Sequence, residues 1–269
     1  MTFICRDAPE RIVCLTEEPT EILYALGEEA RIVGISAYTE RPPEAKRDKP
    51  VVSAFIGGSV AKISALKPDL IIGFSDIQAD LARDLIKANL PVMIFNQRSI
   101  QEILDVILQI GRIVGRGDAA KALVEKHIAH VESVRAAAAE LPRRPKVYFE
   151  EWDEPLISAI EWVGELIEIA GGENIFAERA AGKLASERFV THEEIIAASP
   201  DFIAACWCGK PVDVPSIASR PGYAKIPAVI HGDIEEFDPA ILLQPGPACL
   251  SDGLDALARS IATVARRGK

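Results

Sequence analysis

The chain has 269 residues, 49% of them apolar, and a formal net charge of −10 at pH 7. That length fills one large domain or two of about 110–130 residues, and the apolar content without low-complexity tracts excludes extended disorder. The acidic balance excludes nucleic acid as a partner, since phosphate binding needs a basic surface and Arg143-Arg144 and Arg266-Arg267 are too short to form one.

In chain order, RIVCL (11–15) predicts a short strand, followed by the acidic turn Thr16-Glu17-Glu18-Pro19 and a helix to Gly27. RIVGIS (31–36) predicts a second strand and Val51-Val52 a third. The helix VAKISAL, the breaker Lys67-Pro68-Asp69 and the strand LIIGF (70–74) come next. A helix over 77–88, the strand PVMIF (91–95) and a helix over 99–114 complete this half. Strands alternating with helices predict a parallel, doubly wound sheet.

The stretch DAAKALVEKHIAHVESVRAAAAEL (118–141) contains neither Gly nor Pro. Its apolar positions Leu123 or Val124, Ile128, Val131, Val134, Ala138 and Leu141 recur at helical spacing, with Asp118 as the expected N-cap and Pro142 as the stop. His127 and His130 are expected to face solvent.

Beyond it the opening order returns. KVYFE (146–150) predicts a strand and Glu151-Trp152-Asp153-Glu154-Pro155 an acidic turn. HEEIIAASPDFIAAC (192–206) then answers VAKISALKPDLIIGF (60–74). The expected fold is α/β, with two Rossmann-like lobes bridged by a single long α-helix. The N-terminal lobe is placed at 1–116, the helix at 117–142 and the C-terminal lobe at 143–269.

No window reaches about 18 uninterrupted apolar residues, so membrane insertion is not expected. The start MTFICRDAPERIVCL lacks the pattern of a secretory leader. Cys5, Cys14, Cys206, Cys208 and Cys249 are odd in number and without framework spacing, which predicts five free thiols and a reducing compartment. As written, the chain reads as cytoplasmic, or as periplasmic if a leader was removed.

Ligands of open α/β sheets bind beyond the carboxyl ends of the strands. If the two lobes face each other, the loops at those ends line one cleft. These loops carry Glu17, Glu18, Tyr38, Phe55 and Phe74 in the first half, and Trp152, Trp207 and Gln244 in the second. Aromatic walls with scattered polar groups suit a large, flat, partly apolar ligand. Either tryptophan could equally be a core edge, and Glu17-Glu18 could simply complement a helix dipole. Trp162 reads as core. Cys206-Trp207-Cys208 lacks the second ligand cluster a metal site needs, so no metal and no resident cofactor is expected. No nucleophile elbow is present, and an enzyme reading has only Cys208 with a distant His192 or His231.

RIVCLTEEPTEILYALG, VGISAYTERPPEA, VSAF, ISALKPDLIIG and GGENIF (171–176) together resemble the helical-backbone substrate-binding proteins of ABC importers, most of all the vitamin B12-binding members. The resemblance spans residues 10–265. It implies non-catalytic binding of a corrinoid such as cobalamin in the cleft, for uptake, storage or hand-over, by a protein expected to be monomeric. Haem or a ferric siderophore is the alternative ligand, and an enzyme acting on a bound corrinoid or another small molecule is a third reading. It also implies pocket roles for Tyr38, Phe55, Phe74, Trp152, Trp207 and Gln244. Family members dock on an ABC permease through one acid per lobe. Ala79 and Gly222 stand at those places here, with Asp76 and Asp80 near the first. The unbroken helix implies small lobe rotation on binding.

Overall fold

A computed structural model describes residues 7–267, so Cys5 lies outside the described residues. They form two compact units. One runs to Gln97 and resumes over Gln101–Lys126; the other comprises Arg98–Ile100 and the chain from His127.

The first unit alternates β1 (Ile12–Cys14), α1 (Glu17–Ala25), β2 (Ile32–Ser36), α2 (Pro43–Asp48), β3 (Val51–Ser53), α3 (Val60–Ala65), β4 (Leu70–Phe74), α4 (Ala79–Lys87), β5 (Val92–Phe95) and α5 (Ile100–Ile113). Its sheet is parallel throughout, in the order β3-β2-β1-β4-β5. Covered on both faces, β1 and β4 read as unbroken apolar runs rather than alternating ones. Val13, Leu15, Ile63, Ile71 and Leu85 close around them as the core.

α6 (Gly117–Ala139) carries the division between the units at Lys126/His127. Asp118 falls inside its first turn instead of capping it, and the helix stops at Ala139. Its buried edge runs through Ala120, Val124, His127 and Val131, while Ile128 is exposed. His127 therefore faces protein, contrary to expectation. His130 is half-buried, 3.0 Å from Asp255.

The second unit holds β6 (Lys146–Glu150), the hairpin β7 (Trp152–Asp153) and β8 (Leu156–Ile157), α7 (Glu161–Ile169), β9 (Glu173–Asn174) and α8 (Ala177–Ala180). α9 (His192–Ala198), β10 (Phe202–Ala205), α10 (Val214–Ala218), α11 (Pro227–His231), β11 (Ile234–Glu236), α12 (Pro239–Leu242) and α13 (Leu254–Arg266) complete it. The start of α9 is set by a reciprocal cap: the Glu194 N–H donates to Thr191 Oγ1 at 3.2 Å and the Thr191 N–H to Glu194 Oε2 at 2.8 Å.

The parallel sheet order β11-β10-β6-β9 repeats β5-β4-β1-β2 of the first unit. RIVCL and KVYFE thus occupy equivalent strands, as do LIIGF and FIAAC. In both sheets the chain crosses over the first strand to reach the other side. That crossover fixes a switch point at the carboxyl ends of β1 and β4 and, in the second unit, of β6 and β10. Trp162 is buried on α7 and its indole N–H donates to Leu242 O at 2.8 Å, so it is core.

Candidate functional site

At the switch point of the first unit, Glu17 and Glu18 are the first residues of α1 rather than part of a turn. Pro19 is tolerated there because a first-turn N–H has no helical partner to lose. Both carboxyls are buried, at 4% and 2% exposure. Thr16 Oγ1 donates to Glu18 Oε1 at 2.8 Å, and Ser36 Oγ lies 3.5 Å from Glu17 Oε1. Burial raises the pKa of both, and the Glu17 charge raises that of Glu18 further. Among the described residues neither has a cationic partner.

Around these acids the loops after β2, β3 and β4 present apolar side chains. Tyr38 is 45% exposed and meets Phe55 edge to face, with centroids 6.5 Å apart. Ile56 and Ile77 are exposed on the same loops. Gln78 ties the loops together: its Nε2 donates to Leu15 O at 3.3 Å and to Phe55 O at 3.0 Å, while its Oε1 accepts from the Phe74 N–H at 3.1 Å. Phe74 itself is buried as the last residue of β4.

The second unit solves the same placement with ion pairs. Glu150, the last residue of β6, is fully buried. Its carboxylate takes both Arg220 nitrogens at 2.5 and 3.0 Å and the Trp207 indole N–H at 3.1 Å. Burial works to lower the Arg220 pKa, but the Glu150 hydrogen bonds and charge prevail and raise it. Glu151 pairs with buried Arg188 at 2.5 and 3.0 Å. Trp207 is consequently a core-edge residue, 4% exposed and packed with Tyr148, Ile217 and Tyr223.

Trp152 stands half-buried on the β7–β8 hairpin, its N–H donating to Glu154 O at 3.0 Å. Lys210 reaches both indoles and Asp153. Gln244 follows α12, half-buried, with Oε1 lacking a hydrogen-bond partner. Arg220, Lys210 and Gln78 had no signal in the sequence, because their partners lie 70, 57 and up to 63 residues away.

His192 Nδ1 is 3.1 Å from the Tyr223 hydroxyl, which gives that imidazole a structural partner. Cys14, Cys206, Cys208 and Cys249 are free thiols. Burial pushes Cys14 up to about 12 and raises Cys206, so neither is a ready nucleophile at neutral pH. Among the described residues no group of three or more His, Cys, Asp or Glu is arranged to hold a metal ion, and no helix is long and apolar enough to cross a membrane. At the second expected docking position, Gly222 has φ +85°, and a Cβ there would lie 2.6 Å from Ile196 Cδ1. An acid does not fit at that place without displacement of Ile196.

Comparison with known proteins matches residues 12–240 to the family described as periplasmic binding protein. An uncharacterised ABC transporter substrate-binding lipoprotein of Bacillus subtilis is 28% identical over 94% of this chain and 80% of its own length. The vitamin B12-binding protein of Yersinia pseudotuberculosis is 29% identical over 78% of each chain. Among solved structures, the periplasmic haem-binding protein RhuT of Roseiflexus sp. RS-1 superposes with a TM-score of 0.80 at 26% identity, over 96% of this chain and 99% of its own. These likenesses give the cytoplasmic expectation no support, since the family description is periplasmic and the Bacillus relative is a lipoprotein.

Proposed function

Because the chain belongs to the periplasmic binding protein family, we propose that it is a non-catalytic solute-binding protein for a corrinoid, serving uptake, storage or hand-over. The observation that carries this reading is the placement of aromatic side chains at the carboxyl-end loops of each sheet. Tyr38 and Phe55 stand there in the first unit and half-buried Trp152 in the second. Flat ligands of large area bind such surfaces through apolar burial.

Charge supports the choice among the metal chelates. Haem brings propionates and catecholate siderophores bring several negative charges, and both would meet an acidic chain with Glu17 and Glu18 buried without a cation. A corrinoid is fringed by neutral carboxamides, which donate to a carboxylate and accept from a carboxylic acid. The vitamin B12-binding relative agrees with this reading. The haem-binding likeness of the fold makes haem the competing ligand. If an ABC permease receives the solute, its contact on the second unit uses residues other than Gly222.

The test is absorbance and calorimetric titration of the ligand-free protein with cobalamin, cobinamide, haem and a ferric siderophore. Saturable binding of a corrinoid at one site per chain is expected. Tight haem or siderophore binding without any corrinoid signal would reject the ligand assignment.

A further inference from the structure

The Lys210 ammonium lies 4.5 Å from the Trp152 ring centroid and 4.7 Å from that of Trp207. The same nitrogen is 2.6 and 2.8 Å from the two Asp153 carboxylate oxygens. Two indole faces and a carboxylate around one ammonium are the recognition elements for organic cations. Both walls are held without help from their occupant. The Trp207 N–H is bonded to Glu150 and the Trp152 N–H to Glu154 O.

The occupant is the less constrained part. Lys210 keeps a side chain 40% exposed. It follows Gly209, whose backbone has φ +94° and no heavy atom within 4 Å of a Cβ position. With the ammonium on a part-exposed side chain and the indoles bonded in place, Lys210 is the member that can leave.

We infer that Trp152, Trp207 and Asp153 form an organic-cation site whose resident is the chain's own Lys210, and that Lys210 thereby keeps free alkylammonium ions off the two indoles. A tethered group competes at an effective concentration in the millimolar range or above. An acidic chain concentrates cations at its surface, so the same cage without Lys210 fills with soluble ammonium ions. With it, the indoles yield only to a ligand that brings more contact area or stronger pairing. Lys210 is a specificity-determining residue in this sense. The inference stands whether or not the ligand is a corrinoid, because its probes are simple cations.

The full chain and its Lys210→Ala variant are titrated with tetramethylammonium and n-butylammonium chloride, with sodium chloride as the ionic-strength control, by tryptophan emission and calorimetry. Lys210→Ala is expected to bind both ions saturably in the millimolar range, at least tenfold tighter than the unmodified chain. The gain is lost again in Lys210→Ala/Trp152→Leu, and Lys210→Arg behaves as the unmodified chain. Independently, proton NMR of the unmodified chain should show the Lys210 ε-methylene shifted upfield by the indole ring currents, and the shift relaxed in Trp152→Leu. Equal responses of the unmodified chain and Lys210→Ala, or an unshifted ε-methylene, would overturn the inference.

Discussion

The two units place acids at the same point of the same strand plan and neutralise them by different means. At the end of β6 and in the residues that follow it, Glu150 is locked to Arg220, Glu151 to Arg188 and Asp153 to Lys210. Beyond β1, Glu17 and Glu18 have hydroxyl partners and each other, and burial drives them toward the protonated form. A buried carboxyl must be paired or protonated. The second unit's charge balance is therefore built in, whereas that of the first is set by pH.

The largest effect expected from this contrast lies in the second unit. Arg220→Ala leaves Glu150 buried and uncompensated and should cost about 3–5 kcal/mol of stability, read as a lowered urea midpoint. Replacing both partners, as Glu150→Leu with Arg220→Met, should recover much of that loss. A wild-type midpoint for Arg220→Ala would mean that the pair is not buried in solution.

In the first unit the sign reverses. A carboxyl whose pKa is raised on folding holds its proton in the native state after the unfolded chain has lost it. Stability therefore falls as pH rises from the unfolded value, about 4.3 for Glu, through the raised folded value. Glu18→Gln removes this liability. It should stabilise the protein above that window by on the order of 1–3 kcal/mol and change nothing near pH 4. Urea titrations of both proteins at pH 4, 6 and 8.5 give the comparison, and parallel pH slopes would refute the unpaired acids.

Thiol reactivity is the smallest effect and one in which the units agree. Of the four described cysteines, exposed Cys208 should label rapidly in the folded protein. Cys14, Cys206 and Cys249 are buried and should label only on unfolding. Rapid labelling of Cys14 or Cys206 would show that one switch point opens to solvent.

What could be read from the sequence follows from where the determining interactions lie. LIIGF and KVYFE coincide with β4 and β6, because a doubly covered parallel strand writes its burial into consecutive apolar residues. The repeat was legible for the same reason. The turn assigned to Glu151–Pro155 is instead part of the β7–β8 hairpin, whose strands have two residues each and carry no period. Longer-range bonds hold it, such as the Val190 N–H to Leu156 O at 3.1 Å.

Candidate site residues divide along the same line. Tyr38 and Trp152 announce themselves as aromatics at strand ends. That Phe74 and Trp207 point into packed surroundings depends on neighbours distant in sequence. The solvent-facing expectation for His127 fails because a nearly uniform run of alanines and charges along α6 gives little information about the buried face.

One calorimetric series tests whether the aromatic side chains beyond the strand ends hold the ligand: cobalamin titrated into the unmodified chain, Tyr38→Ala and Trp152→Ala. Burying a large side chain contributes about 1.5–3 kcal/mol, so each variant should weaken binding by roughly tenfold or more while keeping its fold by circular dichroism. Unchanged cobalamin affinity in both folded variants would contradict the account and place the ligand elsewhere.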